Sequence, residues 1–159
     1  MKGNAKVIDQ LQILLESELS AFDQYFIHAR MYGDWGLEKL EERISHEADE
    51  EREHAQLLID RLLFLEATPD LSKRMGLKVG SDVPAMLQND LDYEYDVQKK
   101  LKSAIQICEQ EKDYETRRIL LKLLDDTEED HIYWLEQQLG LIKKMGLPNY
   151  IESMSGRLS

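Results

Sequence analysis

The sequence predicts an all-α protein: a four-helix bundle of two antiparallel hairpins joined by one long crossover, with a short fifth helix at the C-terminal end. Three observations predict it. Apolar residues recur with a 3.6-residue period along four long stretches. Helix breakers are scarce and fall mostly between those stretches, proline occurring only at Pro69, Pro84 and Pro148. No segment alternates polar and apolar residues over more than a few positions, as a half-buried strand would.

The first helix is expected from about Lys6 to Tyr32. Gly33-Asp34-Trp35-Gly36 is a short turn, which makes the second helix, Leu37 to Glu66, antiparallel to the first. Ala67 to Asp82 contains Pro69, Gly76 and Gly80 and is too long for a tight turn. It spans the length of a bundle and starts the third helix in the same direction as the second. Ser81-Asp82 offers an N-cap and Pro84 sits in the first turn, where its missing N–H costs nothing. The third helix runs from Val83 to Glu111, Lys112-Asp113-Tyr114 connects, and the fourth runs from Glu115 to Met145. Gly146 is a C-cap candidate, and the fifth helix is expected from Pro148 to Ser155. Residues 1–159 read as one domain with a sizeable core.

Steps of seven residues expose an oddity in each long helix. The ladders read Leu11-Glu18-Tyr25-Tyr32, Ile44-Glu51-Leu58-Leu65, Leu87-Glu94-Leu101-Cys108 and Leu121-Glu128-Leu135-Ile142. Each carries one glutamate among apolar neighbours, and a buried carboxylate without a partner costs several kcal/mol or takes up a proton. His54 and His131 each follow a glutamate by three residues, so Glu51-x-x-His54 and Glu128-x-x-His131 each place a carboxylate and an imidazole on one helix face. Helical bundles with two carboxylate-bound metals draw one Glu from each of two helices and Glu-x-x-His from each of the other two. Four carboxylates and two imidazoles, with no thiolate, favour two divalent first-row ions, iron or manganese before zinc. Four negative charges also balance two dications. Glu51 and Glu128 are the expected bridges, and Glu18 and Glu94 the terminal ligands.

Charged residues make up 33% of the chain and the net charge is −12. That balance argues for a soluble protein, against nucleic-acid binding through a basic face, and for attraction of cations. The single cysteine, Cys108, excludes an internal disulfide and falls in an apolar ladder as a small core residue. Met1 to Gln10 has no apolar leader core and no run is long enough to cross a bilayer, so no membrane association and a cytoplasmic location are expected.

The sequence resembles a bacterioferritin over nearly its whole length. The residues that carry the resemblance are Met1-Lys2-Gly3, Asp23 to Met31, Trp35-Gly36-Leu37, Phe64-Leu65-Glu66, Trp134-Leu135-Glu136 and Lys144 to Leu147, together with the ligand positions above. The resemblance implies a ferritin-like fold and a hollow 24-subunit shell, a 24-mer either homomeric or mixed with a second bacterioferritin subunit. It implies a di-iron ferroxidase centre in each bundle, formed by Glu18, Glu51, His54, Glu94, Glu128 and His131. Fe(II) would be oxidised by dioxygen or hydrogen peroxide, ferric mineral stored in the cavity, and a small ferredoxin would supply electrons for iron release. Tyr25 matches a tyrosine that passes an electron beside that centre, a plain core aromatic being the competing reading. His46 and Glu50 match positions that bind a further iron on the cavity wall, a solvated polar face being the alternative.

Two departures from the family pattern stand out. Arg52 occupies the position of the methionine that ligates haem b between two subunits, and arginine is no practical iron ligand. A shell of this chain alone is therefore expected to bind little haem b unless a methionine-bearing partner subunit joins it. Second, the interval from Glu94 to Glu128 is one residue longer than in common family members, with the extra residue near Leu120 to Thr127. A π-bulge absorbs such an insertion. Strict family spacing would select Thr127 and Asp130, whereas the ladder downstream of the insertion selects Glu128 and His131. Two other functions compete with iron storage: a rubrerythrin-like di-iron oxidase or peroxidase without mineral storage, and a structural subunit of a mixed shell. The absence of any Cys-x-x-Cys pair argues against the first, and the full ligand set against the second.

Overall fold

The computed structural model describes residues 1–156, which contain no strand. Its helices are α1 (Ala5–Asp34), α2 (Glu38–Phe64), α3 (Val83–Gln110), α4 (Tyr114–Asp126), α5 (Tyr133–Met145) and α6 (Leu147–Met154). A π-helical turn, Thr127–Ile132, joins α4 to α5 without a break, so these three pieces form the expected fourth rod. The all-helical, four-rod bundle with a short C-terminal helix is thus present, and the π turn lies beside the predicted insertion.

Local chemistry sets the ends. Asn4 caps α1 by accepting from the Lys6 N–H at 2.8 Å, and Asp82 caps α3 by accepting from the Ala85 N–H at 2.9 Å with Pro84 in the first turn. Asp113 caps α4 through the Thr116 N–H at 3.0 Å. Gly33 and Asp34, expected in a turn, are helical; α1 closes instead on Gly36 at φ +78°, with Leu37 N–H donating to the Tyr32 carbonyl at 2.9 Å. Glu66 at φ 61° and Lys112 at φ 58° close α2 and α3 by the same wrap-around bond, from Ala67 to Leu62 and from Asp113 to Cys108.

The crossover is strapped to α1 along its length. Gln12 exchanges two bonds with the Asp70 backbone, Met75 N–H donates to Ser20 Oγ, Lys78 N–H to Gln24 Oε1, and Gly80 N–H to His28 Nε2. Crossover and helix positions increase together, so the strand of loop runs in the direction of α1 and delivers the start of α3 to the end where α2 began. That makes α3 parallel to α2, as the length of the interval predicted.

The buried apolar residues form two separate clusters. One contains Leu11, Leu14, Leu58, Leu62, Leu101 and Leu123, with Cys108 fully buried. The other contains Tyr25, Tyr32, Leu40, Ile44, Leu87 and Leu135. Between them lies a buried polar layer: Glu18, Glu51, His54, Glu94, Thr127 and His131, each 2% exposed or less. The two apolar clusters exclude water from both sides of that layer.

Candidate metal centre

Three regular helices carry the centre's carboxylates inward at matching depth: Glu18 on α1, Glu51 on α2 and Glu94 on α3. His54 follows Glu51 by one turn on α2, and His131 enters from the π turn. The ligand atoms of Glu18, Glu51 and His54 lie within 4.8 Å of one another, and so do those of Glu51, Glu94 and His131. Glu51 belongs to both groups and sits between them. The imidazole rings face each other, centroids 6.1 Å apart and 25° from parallel.

Each histidine presents Nδ1 to the shared space. His54 Nδ1 lies 3.0 Å from Glu18 and 3.7 Å from Glu51; His131 Nδ1 lies 2.9 Å from Glu51 and 3.3 Å from Glu94. Each Nε2 is held from outside by a carboxylate. For His54 this is Asp126 at 2.9 Å; for His131 it is Glu47 at 2.5 Å with Glu50 at 2.9 Å. Such outer carboxylates fix ring orientation and raise ligand basicity. The sequence reading missed Asp126 and Glu47, because neither stands in an apolar ladder.

Glu128 is the correction. Its side chain is 41% exposed, accepts from Gln98 Nε2 at 2.5 Å and lies 3.8 Å from Lys102 Nζ. The reason is the π turn. Tyr133 N–H bonds back five residues to the Glu128 carbonyl, so the chain turns less per residue and Glu128 falls behind the inward stripe. Thr127 takes the inward position, with its Oγ1 buried and without a hydrogen-bond partner. The ladder containing Leu121 and Glu128 therefore fails above Leu135: Leu121 is exposed, and Leu120, Leu123, Thr127 and His131 form the real stripe. Asp130, which strict spacing would have chosen with Thr127, is exposed.

The other sequence-predicted residues are also placed. Tyr25 is 2% exposed, and its hydroxyl donates to Glu94 Oε1 at 2.6 Å, so it touches the centre directly. His46 is largely exposed and pairs with Glu50 at 2.7 Å. Glu50 reaches inward to His131 as well and so links the exposed face to the centre. A cavity of about 370 Å³ lined by His46, Glu50, Glu53, His54, Lys122 and Asp126 opens on this side.

Electrostatics show a cluster that wants cations. Burial, then the Glu51 charge, pushes the Glu18 carboxyl up to about 8. Burial and the Glu94 charge push Glu51 upward too, but its bonds with Glu18 and His131 outweigh them and leave it lowered and ionised. Burial opposes charge on His54, yet Glu18 and Glu51 raise it to about 11, and the surrounding carboxylates raise His131 well above the usual imidazole range. Protons on Glu18 and both imidazoles occupy the places that metal charge would take. Glu94 Oε2 is buried with no hydrogen-bond partner, an acceptor that a cation satisfies. The donor set of three carboxylates and two imidazole nitrogens therefore fits two divalent first-row ions.

The family model described as the ferritin-like domain matches residues 8–145. A bacterial ferritin of Synechocystis sp. is 63% identical over 153 residues, covering 96% of this chain and 98% of that protein. The chain belongs to the bacterioferritin family of ferritin-like proteins. A bacterial ferritin of Pseudomonas aeruginosa is 54% identical over 96% of this chain and 99% of its own length. A bacterioferritin of Brucella melitensis is 40% identical over 94% of this chain and 92% of its own. Against the family's haem position, Arg52 is 69% exposed, pairs with Asp49 at 3.2 Å and lies over the Phe22 ring. The hollow around it is lined by Phe22, Phe26, Ala29, Arg30, Ser45, Ala48 and Asp49, none of which ligates haem iron. The residues present do not fit haem b.

Proposed function

We propose that this chain stores iron: it takes in Fe(II), oxidises it at the intrasubunit two-ion centre, and retains the ferric product in the cavity of a 24-subunit shell. One observation carries the reading. Five ligand side chains from four rods converge in a layer sealed by apolar residues, with Glu51 shared between two symmetric ligand groups. The names of the relatives, bacterial ferritin and bacterioferritin, support iron as the metal.

Iron is the substrate here, and its two-electron pair oxidation by dioxygen or hydrogen peroxide is the chemistry that the bound ions supply. The chain's own residues prepare it. Glu18 with His54 would hold one ion and Glu94 with His131 the other, with the Glu51 carboxylate within reach of both. Asp126 holds the His54 imidazole, and Glu50 together with Glu47 the His131 imidazole, each with Nδ1 facing inward. Glu18, His54 and His131 surrender protons as ions arrive. Tyr25, donating to Glu94, is placed to pass an electron, and burial with the Glu94 charge keeps its phenol protonated. His46 and Glu50 gather cations from the acidic face and pass them toward His131. Three inward carboxylates leave two dications one charge short of balance, and the outer carboxylates, Asp126 beside His54 and Glu47 and Glu50 beside His131, are near enough to supply the fourth.

The test is to add Fe(II) in air, follow ferric absorbance and size the product on a column. Oxidation with hundreds of ferric ions retained per particle is the expected result. Two irons per chain with no retention would instead make the protein a di-iron oxidase without storage, and no oxidation would make it a scaffold subunit.

A further inference from the structure

The π turn poses a problem of support. A π turn is rare and interrupts the regular ladder of the α-helix on either side, yet this one carries a metal-ligand candidate. The structure assigns the task of holding it to Arg43: this side chain clamps the π turn from α2 and, through Glu47, fixes the His131 ring with Nδ1 toward Glu51 and Glu94. The inference rests on the two-ion reading and adds a positioning residue to it.

Three contacts place Arg43. Its Nη2 donates to the Asp130 carbonyl, inside the π turn, at 2.9 Å. Its Nε donates to Glu47 Oε1 at 2.6 Å, and the other Glu47 oxygen makes a charge contact with His131 Nε2 at 2.5 Å, beside Glu50, which holds the same nitrogen by a hydrogen bond at 2.9 Å. Its guanidinium lies over the Trp134 ring on α5, 4.6 Å from the ring centre. One planar group thus touches the residue before His131, the carboxylate behind His131, and the first turn after the π turn. Glu47 is 2% exposed, and a carboxylate so deeply buried needs a fixed hydrogen-bond donor, which Arg43 Nε supplies.

Arginine suits this task and lysine does not. The guanidinium fork donates in two fixed directions while its face stacks on an aromatic ring, whereas an ammonium is a point charge on a flexible stem. His54 has no equivalent clamp: it sits in a regular helix, and its outer carboxylate Asp126 is held by Lys122 at 3.1 Å near the surface. The two halves of the centre should therefore respond differently to loss of Arg43.

The test uses Arg43→Leu and Arg43→Lys in the full chain, titrated with Co(II) and followed by visible absorbance, with metal-free crystal structures of all three proteins. The unsubstituted chain is expected to take two Co(II). Arg43→Leu is expected to keep one at near-normal affinity and to bind the other about tenfold or more weakly, in the range that loss of an outer-shell partner costs. Arg43→Lys should fall between the two. In the metal-free crystals, Arg43→Leu should show a turned or disordered His131 and a changed 127–132 backbone, with His54 unmoved. Equal Co(II) affinities in all three proteins, or an unmoved His131 ring in Arg43→Leu, would overturn the assignment. If Arg43→Leu does not fold, Arg43→Lys decides by the same two readouts. Fewer than two Co(II) in the unsubstituted chain would contradict the two-ion reading instead, and the metal-free crystals would still judge the role of Arg43.

Discussion

Glu128 and Thr127 show how one residue's position decides its chemistry. The two are adjacent, yet Thr127 is fully buried while Glu128 reaches Gln98 and Lys102 on the surface. Glu18→Ala and His54→Ala are therefore expected to slow Fe(II) oxidation strongly, whereas Glu128→Ala should change it by less than about twofold, the small effect typical of a substitution away from the site. Initial ferric absorbance rates check this; an Glu128→Ala rate as low as that of Glu18→Ala would mean that Glu128 enters the centre. The protonation state of the cluster gives a second expectation. Glu18 is raised to about 8 and His54 to about 11 in the folded chain, above their ordinary values of 4.5 and 6.5. Groups raised on folding stabilise when protonated. Their contribution is full below the ordinary values and is lost as pH rises through about 8 and then about 11. The melting temperature of metal-free protein should thus fall between about pH 5 and pH 9, and bound Zn(II) should flatten the fall. A metal-free Tm that rises over this range would contradict the protonated cluster.

At the scale of helices, regularity determined what could be read from sequence. In α1, α2 and α3 the seven-residue ladders hold, so Glu18, Glu51 and Glu94 turn inward where the period places them. The fourth rod breaks the rule, because a period counted from either side of a π turn goes out of register on the other. Counting back from Leu135 predicted Glu128, and only the strict spacing found Thr127. Asp126, Glu47 and Arg43 were missed for a different reason: the i,i+4 pair Arg43–Glu47 reads as an ordinary helix-surface ion pair, and the reach of Asp126 to His54, of Glu47 to His131 and of Arg43 to Asp130 crosses between elements, where sequence spacing gives no signal. The helix ends offer a separate test. Lys112 closes α3 at φ 58°, a conformation that costs a side-chain-bearing residue about 1–2 kcal/mol, partly offset by glycine's greater chain entropy. Lys112→Gly should raise stability by about 0.5–1 kcal/mol. A higher urea midpoint with an unchanged transition slope would bear this out; an unchanged or lower midpoint would refute it.

For the molecule as a whole, the surface matters as much as the core. Phe26, Leu63, Phe64 and Tyr133 are each more than half exposed. Assembly into the shell proposed above would give such side chains cover, and a net charge of −12 draws cations to the protein. The Arg52 face carries a further expectation. Protein purified from this chain expressed alone should show little Soret absorbance per subunit, and co-expression with a methionine-bearing family subunit should raise it. Near-stoichiometric haem in the protein expressed alone would contradict the donor-set argument. Two metal ions are expected inside the buried polar layer that divides the core. Crystals soaked anaerobically with Fe(II) and measured at the iron absorption edge test it most directly. Two anomalous peaks per chain are expected on either side of Glu51, about 3.5–4 Å apart, one beside Glu18 and His54 and the other beside Glu94 and His131. Iron bound only on the outer faces, with no peak between the two apolar clusters, would contradict it.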